Sequence, residues 1–207
     1  MEPGTEARNK ADAYTERKFR LAREQGSIVL APRMRDLHLL TRMLFTLDKA
    51  INRMRMNAGT ASVSLPDLEA ANERVVKLTA RIRSFTAALG GTASFVSPGA
   101  DPAQKDILVQ KRNSYVFMPK TAEGTTLAGL FISLDSAYFE YKIKSPLRDI
   151  ERLGEAIETM KGIVRDFLGI TSDLAAKARV DFVEPKGLAG YFENGTRKEE
   201  GAAGEEA

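Results

Sequence analysis

The sequence LHLLTRMLFTLDKAINRM, at residues 37–54, repeats apolar side chains at alternating intervals of three and four residues. Because an α-helix turns once in about 3.6 residues, this spacing gathers those side chains on one side of a helix. The resulting seam comprises Leu37, Leu40, Leu44, Leu47, Ile51 and Met54. The segment therefore predicts a long helix that buries this seam and ends near Asn57.

Later segments repeat this spacing, so the predicted fold class is mainly α with a short β element. Residues typical of helix starts and stops set the bounds of these helices: Ser64 to Gly90, about Thr125 to Lys144, and Ser145 to Gly169. A short helix over 171–180 is predicted to follow. Because only a short loop joins the first two seams, we expect them to form an antiparallel hairpin of long helices.

Two stretches are predicted to be extended. Residues 28–30 read IVL, and Pro32 follows them, which cannot continue a ladder of strand hydrogen bonds. Residues 107–118 read ILVQKRNSYVFM, which is β-branched and aromatic around a polar middle. As one strand, this stretch would present its even-numbered polar residues on one face. As a hairpin, it would place Lys111 to Ser114 in the turn.

The chain is basic, with a formal net charge of +3, although four glutamates and no basic residue occupy its last nine positions. A basic body favours an anionic partner, with nucleic acid first. We predict a flexible basic arm at 1–25, a single mainly helical DNA-binding domain at 26–190 and a disordered acidic tail at 191–207.

The composition excludes several classes of protein. Cysteine is absent and His38 is the only histidine, so thiolate metal sites and thiol nucleophiles are excluded, and we predict no enzyme activity, cofactor or metal. The N-terminus lacks the layout of a secretory signal, and no apolar run approaches the roughly 20 residues of a membrane span. The expected location is the cytoplasm, without a membrane partner.

Basic residues recur at helical spacing on the first two predicted helices. The first row comprises Arg35, Arg42 and Lys49, with Arg53 one turn further along, and the second row comprises Arg74, Lys77 and Arg81. Each row is either the solvated flank of a coiled-coil seam or a set of phosphate contacts. The cluster Lys111-Arg112-Asn113 has two interpretations as well. It either reaches base edges from a two-stranded ribbon in the major groove or is simply an exposed turn.

The order of the predicted elements resembles that of a ribbon-helix-helix unit. It consists of an extended polar–basic segment, then a helix, then a helix capped by Ser-Pro. The stretch 127–138, LAGLFISLDSAY, continuing into 147–170, resembles the AcaB-like family of transcriptional regulators of conjugative plasmids and integrating conjugative elements. This resemblance implies a homodimeric ribbon-helix-helix protein that binds double-stranded promoter DNA and activates conjugative transfer genes. RNA polymerase is a further candidate partner.

In that family picture, a strand supplies base contacts and the N-terminus of the second helix anchors a phosphate. The helix ending at Lys144 is longer than the usual first helix of such a unit, which leaves 28–30 as a rival ribbon to 107–118. The candidate DNA contacts are Arg33, Arg35, Gln110, Lys111, Arg112, Asn113, Ser114 and Ser145. The alternative function is a helical interaction or assembly protein of a transfer or secretion system, without specific DNA binding.

Overall fold

The computed structural model describes residues 27–91, 114–144, 150–186 and 188. Within these ranges, the chain forms four long helices and two short strands. In chain order they are β1 (Ile28–Leu30), α1 (Arg35–Met56), α2 (Leu65–Ala88), β2 (Tyr115–Phe117), α3 (Ala122–Lys144) and α4 (Ile150–Lys177). The predicted fold class, mainly α with a short β element, is confirmed. The predicted arm at 1–25 and tail at 191–207 lie outside the described residues.

The boundaries of α2 follow from local capping chemistry. Ser64 precedes α2 and accepts a hydrogen bond from the Asp67 backbone N–H at 3.2 Å, and Pro66 occupies the first turn. Gly90 has φ of 81° just after α2, a conformation that a residue without a Cβ adopts at little cost. The predicted limits of α1 and α2 are confirmed, and all six residues of the first seam are buried.

The prediction of a separate short helix at 171–180 is wrong. Helix α4 continues through Gly169 to Lys177, so Gly169 is an internal residue rather than a stop. The apolar spacing continues across it, because Phe167, Ile170 and Leu174 are all buried. Burial of these side chains outweighs the roughly 1 kcal/mol that a glycine costs inside a helix. At the N-terminal end of α4, Ile150, the first residue of the predicted seam, is exposed to solvent.

The predicted hairpin of α1 and α2 is also wrong in its packing. Each of these helices packs mainly against α3 and α4, so α1 and α2 lie on a diagonal of the four-helix arrangement. Contacts between Arg55 and Glu123 and between Arg33 and Asp135 show that α1 and α3 are antiparallel. The repeat of three and four residues identifies a buried seam on each helix, but it does not identify the helix that covers the seam.

The two strands pair with each other in antiparallel register, with Ile28 opposite Phe117, Val29 opposite Val116 and Leu30 opposite Tyr115. Residues 28–30, one of the rival ribbons, thus pair with residues 115–117 of the other within a single chain, whereas residues 107–113 lie outside the described part of the chain. We call this pair of strands the β-ribbon. It packs beside α1 and α3, and Ile28, Leu30 and Phe117 join the hydrophobic core.

The core lies between the four helices. Its largest fully buried side chains include Tyr138, Phe131 and Phe167, and the rings of Phe131 and Phe167 lie 5.6 Å apart, centre to centre. Burial raises the pKa of the Tyr138 hydroxyl, and the nearby Asp36 carboxylate raises it further. No helix in the described part of the chain is long and apolar enough to cross a membrane.

Candidate nucleic-acid interface

Three of the predicted DNA contacts lie in the described residues: Arg33, Arg35 and Ser114. The other five, Gln110, Lys111, Arg112, Asn113 and Ser145, lie outside them. Arg33 and Arg35 flank the start of α1, and Ser114 directly precedes β2. Because Tyr115 pairs with Leu30, these three positions fall at the same end of the β-ribbon.

Arg33 is held by α3. Its Nε donates to Asp135 Oδ2 at 2.9 Å, its Nη2 donates to Ser136 Oγ at 3.0 Å, and its guanidinium carbon lies 4.3 Å from the centre of the Phe139 ring. Asp135 Oδ1 also accepts the backbone N–H groups of Arg33 at 2.9 Å and Met34 at 3.3 Å. The Asp135 carboxylate therefore caps the start of α1, where Met34 supplies no side-chain cap.

Asp48, in the middle of α1, performs the same task for α3. Its carboxylate accepts the backbone N–H groups of Lys120 at 2.8 Å and Thr121 at 3.0 Å, and the Thr121 hydroxyl at 2.6 Å. Thr121 Oγ1 in turn accepts the Gly124 N–H at 3.0 Å. Helices α1 and α3 thus each contribute one buried carboxylate to the two residues that directly precede the other helix, which locks the two helices in register.

Because the carboxylates of α1 are buried, the exposed side of this helix carries positive charge. Its two acidic residues, Asp36 and Asp48, are both buried. Its exposed side carries Arg35, Arg42 and Lys49 at intervals of seven residues, about 10.5 Å each along the axis. We call these three residues the basic face. Within α1, no exposed carboxylate accompanies them, so the basic face attracts anions.

The last cation of α1 belongs to a different set of contacts. Arg55 Nη2 donates to Glu123 Oε1 at 2.6 Å, at the start of α3. Partial burial raises the pKa of Glu123, but hydrogen bonds from Arg55 and from the backbone outweigh burial, and the net effect lowers this pKa. Glu123 is therefore ionised at neutral pH and holds Arg55 against the bundle.

Aromatic side chains lie beside the basic face. The Phe45 ring meets the Phe117 ring edge-on, with centres 5.1 Å apart, and the Tyr115 ring at 6.4 Å. His38 Nδ1 lies 3.3 Å from the Tyr115 hydroxyl, within hydrogen-bond distance. We call His38, Phe45, Tyr115 and Phe117 the aromatic cluster. Phe45 remains 38% exposed although it contacts the β-ribbon.

The second basic row has a different environment. Across the antiparallel pair α2 and α4, Arg74 pairs with Asp173, Arg81 pairs with Asp166, and Lys177 pairs with Asp67 at 3.3 Å. A groove of about 400 Å³ lies between these helices and is lined by Arg74, Lys77, Leu78, Arg81, Arg165, Asp166, Gly169 and Ile170. Since Arg74 and Arg81 already bind carboxylates of the opposite helix, the structure favours their interpretation as flanks of a seam.

Sequence reasoning missed the aromatic cluster and the two capping carboxylates. Phe45 has a signal that could have been found, because it lies three residues from Arg42 and four from Lys49, on the exposed side of α1. Asp48 and Asp135 have no such signal, since their partners are distant in sequence. Among the described residues, no group of three His, Cys, Asp or Glu side chains could hold a metal ion.

Comparison of the chain with protein-family models, curated proteins and solved structures gives no match.

Proposed function

We propose that this chain is a sequence-specific DNA-binding regulator of transcription, an activator of conjugative transfer genes that acts as a homodimer on promoter DNA. The observation that supports DNA binding best is the basic face, on which Arg35, Arg42 and Lys49 follow one exposed stripe of α1, while the two acidic residues of that helix, Asp36 and Asp48, are buried. The resemblance to the AcaB-like family supplies the proposed target genes, the dimer and RNA polymerase as a further partner.

In this proposal, the basic face contacts phosphates and the β-ribbon supplies base contacts. Arg35 belongs to the basic face and Ser114 lies at the adjoining end of the β-ribbon, so phosphate and base contacts would be neighbours. Gln110, Lys111, Arg112 and Asn113 precede Ser114 in sequence and remain the proposed base-reading residues. Ser145, between α3 and α4, remains the proposed phosphate anchor.

The ribbon-helix-helix unit remains part of the proposal in a modified form. The family picture pairs one strand from each of two chains, whereas β1 and β2 pair within one chain here. Among the described residues, each strand of this sheet pairs along one edge, and a strand edge without a partner can pair with a second copy. We therefore propose that β1 and β2 stay paired within each protomer. In the dimer, the free edge of β2 or of β1 would pair with the same strand of the second protomer.

A salt titration tests specific DNA binding. The affinity for a promoter fragment of the host element and for random DNA of the same length is measured at increasing salt concentration. Specific binding should keep an advantage for the promoter at every salt concentration, because base contacts release no counterions. Equal affinity for both DNAs throughout would contradict the regulator and support the helical assembly protein.

A double substitution tests the basic face. Arg42→Gln with Lys49→Gln should weaken binding to both DNAs and reduce the salt slope of log K by about two, since each phosphate contact contributes roughly 0.9. The matched control is Lys77→Gln with Lys177→Gln, which removes two exposed cations from α2 and α4. An equal loss in both double variants would show that only the overall charge matters.

Two single substitutions compare the proposed base contact, Arg112, with Arg35 of the basic face, whose loss as a phosphate contact should weaken both DNAs alike. Arg112→Ala and Arg35→Ala are measured on promoter and random DNA. Substitution of the base-reading residue should weaken the free energy of binding to the promoter by about 1–3 kcal/mol and change binding to random DNA little. Full specificity in both variants would contradict this assignment of the base contacts.

A further inference from the structure

The basic face and part of the aromatic cluster form a single stripe on α1. Along the exposed side of the helix, cations and rings alternate at intervals of three and four residues. The stripe reads Arg35, His38, Arg42, Phe45 and Lys49. The first seam of α1 uses the same spacing to bury apolar side chains, whereas the three cations and Phe45 of this second stripe are exposed and His38 is half-buried. Its composition of rings between cations, without a carboxylate, matches a strand of nucleic acid better than it matches another helix.

The ring of Phe45 is held in place from the protein side. The Phe117 ring meets it edge-on, with an angle of 73° between the ring planes. The Tyr115 ring is tilted against it, with an angle of 54° between the ring planes. Tyr115 is itself buttressed by His38, whose ring centre lies 5.8 Å away. The β-ribbon therefore fixes one side of Phe45 while 38% of the residue stays exposed to solvent. A ring held in this way loses little conformational entropy when it stacks on a ligand.

Charge and ring together select the ligand. A phosphate chain running along α1 would meet Arg42 on one side of Phe45 and Lys49 on the other. Every base has a flat face that can stack on a phenyl ring, but in a duplex neighbouring bases already cover those faces. A nucleic acid can satisfy both the cations and the ring only where its bases are unpaired.

We infer that Phe45 is a stacking platform for an unpaired base of DNA, so that this stripe prefers melted or single-stranded DNA to continuous duplex. The inference rests on the proposed function, because the same basic face supplies the phosphate contacts. It adds that the regulator holds a melted segment of its DNA against α1.

The test measures binding of the full chain to three fluorescent DNAs of one sequence: a duplex, the same duplex with a central unpaired bubble, and the single strand. The readout is the ratio of bubble affinity to duplex affinity. For the unsubstituted chain, the bubble and the single strand should bind more tightly than the duplex. Phe45→Leu should reduce the ratio on the order of 5- to 150-fold, the range for loss of one base–aromatic stack.

Three further variants separate the explanations. Phe45→Trp keeps an aromatic face and should retain the ratio. Val76→Ala shortens an exposed apolar side chain on α2 and should leave the ratio unchanged. Arg42→Gln should weaken all three DNAs together, because it removes a phosphate contact that every probe shares. Thermal melting of each variant establishes that the fold is retained.

The outcomes distinguish this inference from the proposed function. If Phe45→Leu leaves the ratio unchanged, the stacking platform is refuted while DNA binding stands. Tighter binding of single-stranded RNA of the same sequence would overturn the assignment of DNA as the ligand. If none of the three DNAs binds, or if Arg42→Gln has no effect on any of them, the basic face itself is refuted and the proposed function fails with it.

Discussion

Asp48 and Asp135 are both buried, with 2% and 7% of their surface exposed, yet neither is surrounded by apolar groups alone. Each carboxylate accepts three hydrogen bonds, and each satisfies backbone N–H groups that a helix start would otherwise leave without a partner. The sequence places both residues beside apolar seams but cannot show that each caps a helix more than 70 residues away. Capping across this distance is visible only in the folded chain.

Asp135→Ala is expected to destabilise the chain by about 2–4 kcal/mol. The substitution leaves the N–H groups of Arg33 and Met34 unpaired and removes the partner of the Arg33 guanidinium. The measurement is urea unfolding followed by circular dichroism. Ser136→Ala serves as the control, because it removes one exposed contact to the same arginine and should cost less than about 1 kcal/mol. Equal costs for the two variants would contradict the capping role.

Gly124→Ala should destabilise the chain by about 1–3 kcal/mol, although alanine is the better helix former. A Cβ at this position would lie far inside van der Waals contact with the Asp48 carboxylate, which is tied to Lys120 and Thr121. Gly154→Ala is the matched control in α4, where a Cβ meets nothing within 4 Å. It should stabilise the chain by up to about 1 kcal/mol. Thermal unfolding of the two variants should therefore shift in opposite directions.

At the scale of elements, the sequence predicts the existence of the helices better than their partners. The limits of α2 follow from Ser64, Pro66 and Gly90, which act locally through capping and backbone conformation. The start of α1 is instead capped by Asp135 of α3. The end of α4 could not be predicted from Gly169, because the helix continues through this glycine to bury the apolar side chains that follow it. The β-ribbon could not be predicted as a pair either. Each of its strands has three residues, and more than 80 residues separate them along the chain.

The ion pairs between α2 and α4 should contribute little to stability, since all their side chains are substantially exposed. A double-mutant cycle with Arg81→Ala and Asp166→Ala should give a coupling energy of about 0.2–1 kcal/mol, measured by urea unfolding. The coupling should decrease as salt rises. A coupling above about 2 kcal/mol would show that this pair fixes the alignment of the two helices.

At the scale of the whole molecule, charge is divided between two sides. The basic face and Lys120 of the adjoining segment are exposed near the β-ribbon, whereas the cations of α2 and α4 mostly face carboxylates. A net charge of +3 for the chain therefore understates the potential at α1. The sequence predicted a basic body and an anionic partner, but only the burial of Asp36 and Asp48 identifies the side that this partner would approach.

The diagonal arrangement of the helices predicts a single cooperative unit. Because α1 and α2 are consecutive in sequence but pack mainly against α3 and α4, residues 27–91 alone lack the surfaces that cover both of their seams. The fragment 27–91 should show no cooperative unfolding transition, and neither should 114–188. An equimolar mixture should regain helical circular dichroism and one transition, since each fragment supplies the helices that the other needs. Cooperative unfolding of 27–91 by itself would mean that α1 and α2 form the antiparallel hairpin that their short loop suggests.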